Sequence, residues 1–158
     1  MKNKLANFIA TFFYSGKAPV APGTAGSLAT LPLAAILAYN FGLSGIISGV
    51  ILSFVIGVWA INIVLKTSKH DPSYVVIDEV AGQLLTFSAI ANELQYNGNS
   101  FYLYLVGFIL FRIFDITKPQ PVKWADKKLI NAWGVMLDDL FAGIYAAIIL
   151  YFINLYIG

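Results

Sequence analysis

Five carboxylates interrupt or border the apolar stretches of this chain: Asp78 and Glu79, Asp115, and Asp138 and Asp139. A carboxylate at the centre of a membrane helix costs roughly 2.5–3.5 kcal/mol, and less near the interface. Like charges gathered closely are stable only with basic partners or with a cation among them. Two readings follow. The acids form interfacial salt bridges with Arg112, Lys118 and their neighbours, or they hold a divalent metal. The donors are all oxygen, since the chain has no cysteine and one histidine, His70. Such a set suits Mg²⁺, which keeps several waters and takes substrate phosphate at its remaining positions. His70 precedes Asp71-Pro72 and is either a loop residue or a proton-transfer group.

Two stretches provide groups for an anion. In PVAPGTAGSLATLP at 19–32, glycines flank Thr24 and precede Ser27 just before an apolar helix. A glycine-rich turn entering a helix presents free backbone N–H groups, which suits phosphate. Thr24 or Ser27 serving as an ordinary helix cap explains the same pattern. In FRIFDITKPQPVKWADKK at 111–128, Arg112 and Asp115 are three apart and share a helix face, and Lys118 follows three later. Pro119 and Pro121 stop the helix there. Acid and base are thus fixed at one helix end, as a metal ligand beside phosphate-binding cations would be. Lys123, Lys127 and Lys128, with Trp124 beside them, read as interfacial anchors.

The elements that must position these groups are helices in a bilayer. Of 158 residues, 59% are hydrophobic and 11% charged, against about 25% charged in a soluble domain. A soluble domain of this size cannot hide that much apolar surface. The net charge of +2 is too small to argue for nucleic acid. Five segments approach the roughly 20 apolar residues of a span: Leu28–Leu43, Leu43–Leu65, Val75–Ala91, Phe101–Ile116 and Leu137–Ile157. The first and third are short, so the expected fold is an all-α polytopic membrane bundle, residues 1–158 forming one domain. It has four to five spanning or partly re-entrant helices, and Leu5–Tyr14 forms an N-terminal interfacial helix. If five spans alternate, all ten basic residues fall on one side, which the positive-inside rule makes cytoplasmic. DEVAG at 78–82 echoes DLFAG at 139–143. The echo is either chance or two parallel helices presenting equivalent acids, with Gly82 and Gly143 permitting close contact.

Four blocks in order, PGTAGSL at 22–28, IDEVAG at 77–82, FRIFDITKPQPV at 111–122 and GVMLDDLFAG at 134–143, together resemble the phosphatidylglycerophosphatase A family. The resemblance implies a Mg²⁺-dependent lipid phosphatase of the bacterial inner membrane, its site facing the cytoplasm. Its substrate would be phosphatidylglycerophosphate and its products phosphatidylglycerol and inorganic phosphate. Carried over by block, the site comprises Asp78, Glu79, Asp115, Asp138 and Asp139 as catalytic residues. Arg112, Lys118, Thr24 and Ser27 stand on the phosphate side.

The expected chemistry is metal-assisted hydrolysis of a phosphomonoester. Asp78, Asp115 and Asp139, with Glu79, are the expected metal ligands. Glu79 or Asp138 would orient or deprotonate water, and Arg112 and Lys118 would neutralise the phosphoryl oxygens. A CDP-alcohol phosphotransferase would show a longer-spaced acidic pattern that this chain lacks. A cation transporter or channel is the alternative of another class, but its acids should lie near mid-membrane, whereas these gather at one face.

Overall fold

The computed structural model describes residues 2–67, 72–96, 101–129 and 131–157. The described residues form seven α-helices and one 3₁₀ turn, and no strand occurs among them. The helices are α1 (Lys2–Ala10), α2 (Pro22–Thr67), α3 (Ile77–Ser88), α4 (Ala91–Tyr96), α5 (Phe101–Thr117), α6 (Val122–Lys128) and α7 (Ala132–Ile157).

α2 is a hairpin. Its helical ladder is broken at Gly42, where φ is 55° and ψ is −138°. A Cβ on Gly45 would stand 2.5 Å from the Leu37 carbonyl oxygen, yet eight residues of unbroken helix span about 12 Å. Leu37 also packs against Gly49. The chain therefore reverses at Gly42, giving arms 22–41 and 43–67 that divide where the two expected segments meet. The left-handed φ is one that glycine adopts without a steric penalty.

α3 is the centre of the bundle. Eight of its twelve residues are buried, including Leu84 and Phe87 with no exposed surface. Both arms of α2 reach its start, Gly26 lying against Val76 and Gly57 against Ile77. α7 crosses it on another side with the two backbones touching. A Cβ on Gly82 would lie 2.5 Å from the Asp139 carbonyl oxygen, and one on Gly143 would lie 2.5 Å from the Gly82 carbonyl oxygen. The DEVAG and DLFAG echo is thus a packed crossing of two helices, with Asp78 and Asp139 each four residues before the glycine of the contact.

Outward faces are apolar. Ile36, Ile51 and Leu52 on α2, Ile109 and Ile113 on α5, and Ile148 and Phe152 on α7 are exposed. Such a surface is solvated by lipid rather than water. α2 and α7 are long and apolar enough to cross a membrane.

Several boundaries differ from the sequence expectation. α1 ends at Ala10, because Phe12, Phe13 and Tyr14 turn through positive φ values of 41°, 55° and 70°. Its Ala6 and Ala10 are fully buried, so the helix is docked on the bundle. The third segment splits, α3 stopping at Ser88 and α4 resuming at Ala91. α7 begins at Ala132, five residues before the expected Leu137. The side chain of Asn131 causes this by accepting hydrogen bonds from the N–H groups of Trp133 (3.0 Å) and Gly134 (3.1 Å), as a helix cap does. Asp138 and Asp139 consequently sit about two turns inside α7, not at its start.

Candidate active site

The acids are brought together from three helices at one end of the bundle. α3 is anchored there by the Val76 N–H, which donates to the Ala10 carbonyl at 2.8 Å. Asp78 and Glu79 fall in its first turn, where the helix dipole favours carboxylates. The Gly82–Gly143 crossing sets α7 alongside, so that Asp139 faces them. One oxygen from each of Asp78, Glu79 and Asp139 lies within 4.8 Å of the others.

The last turns of α5 supply the next layer. Arg112 pairs with Asp115 at 2.7 Å and lies 3.9 Å from Glu79. Its Nη1 also donates to the Ser27 hydroxyl at 3.4 Å, and that hydroxyl in turn donates to the Gly23 carbonyl at 2.9 Å. Gly23 itself leaves no room for a side chain, since a Cβ there would collide with the Glu79 carboxylate. Asp115 lines the same cleft as Asp139.

Lys118 lies just past the end of α5, where its own φ of 44° turns the chain. The following loop is tied to α7 by the Tyr145 hydroxyl, which donates to the Gln120 carbonyl at 2.6 Å, and by Phe114 stacking on Tyr145 at 5.3 Å. The Lys118 ammonium donates to Asp138 at 2.9 Å and pairs with Asp126 of α6. Burial alone would lower its pKa, but hydrogen bonds and charge from Asp126 and Asp138 outweigh that and raise it above the ordinary lysine value.

These groups line one cleft of about 620 Å³, which contains Asp78, Glu79, Asp115, Asp126, Asp138 and Asp139 with Arg112 and Lys118. Six of the chain's eight acids thus face two cations. Of the expected site residues, all five acids and both bases meet here. Ser27 stands behind Arg112, fully buried. Thr24 lies outside the cleft, in a groove on the far side of Arg112. His70 lies outside the described residues. Sequence reasoning missed Asp126, which looked like part of a basic interfacial loop, and Gly23, whose role shows only when Glu79 is set against it. It also missed Gln83, fully buried one turn beyond Glu79 with neither amide atom partnered.

The donor set fits a hard divalent cation. Buried oxygens of Glu79 (Oε2), Asp138 (Oδ1) and Asp139 (Oδ2) have no hydrogen-bond partner. Buried carboxylate oxygens in that condition are costly unless a proton or a cation satisfies them.

A sequence model of phosphatidylglycerophosphatase A matches residues 8–154. The chain belongs to the phosphatidylglycerophosphatase A family. It is 35% identical over 150 residues to phosphatidylglycerophosphatase A of Escherichia coli strain K12, covering 94% of this chain and 83% of that protein. It is 36% identical over 152 residues to phosphatidylglycerophosphatase A of Haemophilus influenzae, covering 94% and 88%. A Bacteroides thetaiotaomicron protein, provisionally named a phosphatidylinositol-3-phosphatase, is also 36% identical over 152 residues, covering 90% and 89%. No solved structure matches the chain. Membership of the phosphatidylglycerophosphatase A family makes this protein a phosphatase, a hydrolase of phosphoric monoesters, and its acidic cleft is the candidate site for that chemistry.

Proposed function

We propose that the protein hydrolyses the terminal phosphate of phosphatidylglycerophosphate in a Mg²⁺-dependent reaction, at the cytoplasmic face of a bacterial inner membrane. The observation that carries this reading is the convergence of Asp78, Glu79 and Asp139 in a cleft that also holds Arg112 and Lys118. Six carboxylates against two cations give the cleft a formal charge of −4. A phosphomonoester dianion is repelled by such a cleft unless divalent metal is present.

Asp78, Glu79 and Asp139 would hold Mg²⁺, with Asp115 beside them. When bound, the ion polarises the phosphoryl group and acidifies water. Arg112 and Lys118 neutralise the phosphoryl oxygens, the main requirement of phosphoryl transfer. Asp138 keeps one oxygen on Lys118 and the other unpartnered, which suits it to take a proton from the attacking water. The water oxygen bonds to phosphorus as its proton passes to Asp138, the bond to the glycerol oxygen breaks, and that oxygen takes up a proton from solvent water.

The two arms of α2, then α3 with α4, α5 and α7 make five crossings in this reading. The nine basic residues among those described then lie on the site's side, consistent with a cytoplasmic site.

A second headgroup has support of its own, because the relative named for an inositol lipid is as similar as those named for phosphatidylglycerophosphate. Both are phosphomonoesters of a polyol attached to a diacyl lipid. Phosphate release from phosphatidylglycerophosphate and from phosphatidylinositol phosphate, measured in mixed micelles with and without Mg²⁺, tests the proposal. A clear preference for the glycerol headgroup is expected, and a preference for the inositol headgroup would overturn the substrate assignment.

A further inference from the structure

An apolar groove of about 340 Å³ runs between the first turn of α2 and the outward face of α5. Thr24, Phe108, Ile109, Ile113 and Ile116 form its walls, and Arg112 belongs both to this groove and to the acidic cleft. From Phe108 to Ile116 the helix extends about 12 Å. Ile109, Ile113 and Ile116 are exposed on the bundle's lipid-facing side. The groove is therefore open on the bilayer side, and the Arg112 side chain stands between it and the acidic cleft, lining both. The Nε of Arg112 is buried and has no acceptor, so the guanidinium keeps a donor beyond those paired with Asp115 and Ser27.

A larger apolar groove, about 440 Å³, lies on the other side of the bundle between Leu85, Ser88 and Ile144–Phe152, with no charged residue on its walls. Volume and apolarity alone would favour that one. Of these two grooves, the α2–α5 groove is the one that borders the cleft, through Arg112. This also explains why Thr24 sits outside the cleft although it belongs to the glycine-rich block.

We infer that the α2–α5 groove seats an acyl chain of the lipid substrate, so that the phosphorylated headgroup reaches the acids laterally past Arg112. This rests on the lipid phosphatase reading above and adds the route and the chain-binding subsite. Substrate then never leaves the membrane, and the Arg112 side chain, shared by groove and cleft, marks the boundary that the headgroup crosses.

The test compares long-chain phosphatidylglycerophosphate with its deacylated, water-soluble counterpart, using the full-length protein in detergent micelles. Ile113→Trp fills the groove. The ratio of kcat/KM for lipid over soluble substrate should fall roughly tenfold or more, chiefly through KM. Ile148→Trp, in the far groove, should leave that ratio unchanged. An unaltered ratio in Ile113→Trp, or an equal fall in Ile148→Trp, overturns the inference. A second measurement needs no variant: the wild-type protein is photolabelled with a phosphatidate carrying a diazirine in its acyl chain. Label concentrated on residues 108–117 supports the assignment, and label concentrated elsewhere overturns it. Labelling requires no turnover, so a protein that labels at 108–117 yet releases no phosphate contradicts the phosphatase reading alone.

Discussion

The two ends of this helical bundle are built from the same apolar rods and differ almost entirely in what caps them. At one end, six carboxylates and two cations share a cleft. At the other, the Gly42 turn rests on Asn92 and Gln95 of α4, and the chain neighbours Tyr39, Phe41 and Tyr96 are exposed rings. That end carries a single acid among the described residues, Glu93 of α4, against the six of the cleft. Packing these helices therefore does not require the acids, and their gathering at the opposite end calls for a chemical reason. Glycine serves both ends differently. Gly42 reverses the chain, whereas Gly82 and Gly143 bring two backbones together and thereby bring Asp78 and Asp139 face to face.

Substitutions at the two ends should separate these roles. The largest effect is expected at the acids: Asp139→Asn should lower phosphate release about 10³-fold or more, as loss of one member of a concerted set does. Isothermal titration of the same variant with Mn²⁺ should show weakened binding, while its helical circular dichroism stays native. Next, Lys118→Ala should cost about 10²-fold, the scale for removing one preorganised charge donor. The pH profile refines this. Because the folded-state pKa of Lys118 is raised, the ammonium persists through neutral and mildly alkaline pH and is lost only above the ordinary lysine range. Any alkaline fall in wild-type activity between about pH 7 and 9 should therefore persist in Lys118→Arg.

A smaller effect is expected at the crossing. Gly143→Ala places a methyl against the Gly82 backbone, which cannot yield without separating α3 from α7. Overpacking of this kind costs about 1–3 kcal/mol, and activity should fall together with thermal stability in detergent. The smallest effect on catalysis belongs to the far end. Gly42→Ala forces a side chain into a positive-φ conformation that costs about 1–3 kcal/mol away from glycine. It should lower the unfolding temperature and leave kcat/KM of the folded protein unchanged. Equal catalytic losses at Gly42 and Gly143 would dissolve the distinction between the two ends.

Much of this arrangement was legible in the sequence, for identifiable reasons. Apolar runs separated by turns mark helices whatever their partners, so the break near Leu43 and the extent of α5 were read closely. The paired acids were conspicuous because charge is rare in such a chain. The helix starts were less legible, since a cap depends on one side chain: Asn131 extends α7 backward and places Asp138 and Asp139 well inside it. Asp126 was hidden because its neighbours are basic, and only the loop from Lys118 to Gln120, clamped by Tyr145, brings it back to the site. Thr24 and Ser27 are three residues apart on one helix, yet only Ser27 turns inward to Arg112. Local sequence does not say which neighbour a helix face will meet.

The central claim is that the acidic cleft works with a divalent cation on a lipid phosphomonoester. Its most direct test is inorganic phosphate release by chelator-stripped, purified protein from phosphatidylglycerophosphate in mixed micelles as Mg²⁺ is added back. Release should rise from background to saturation with Mg²⁺ and stay at background in Asp139→Asn. Full release in the presence of chelator, or none at any Mg²⁺ concentration, would contradict it.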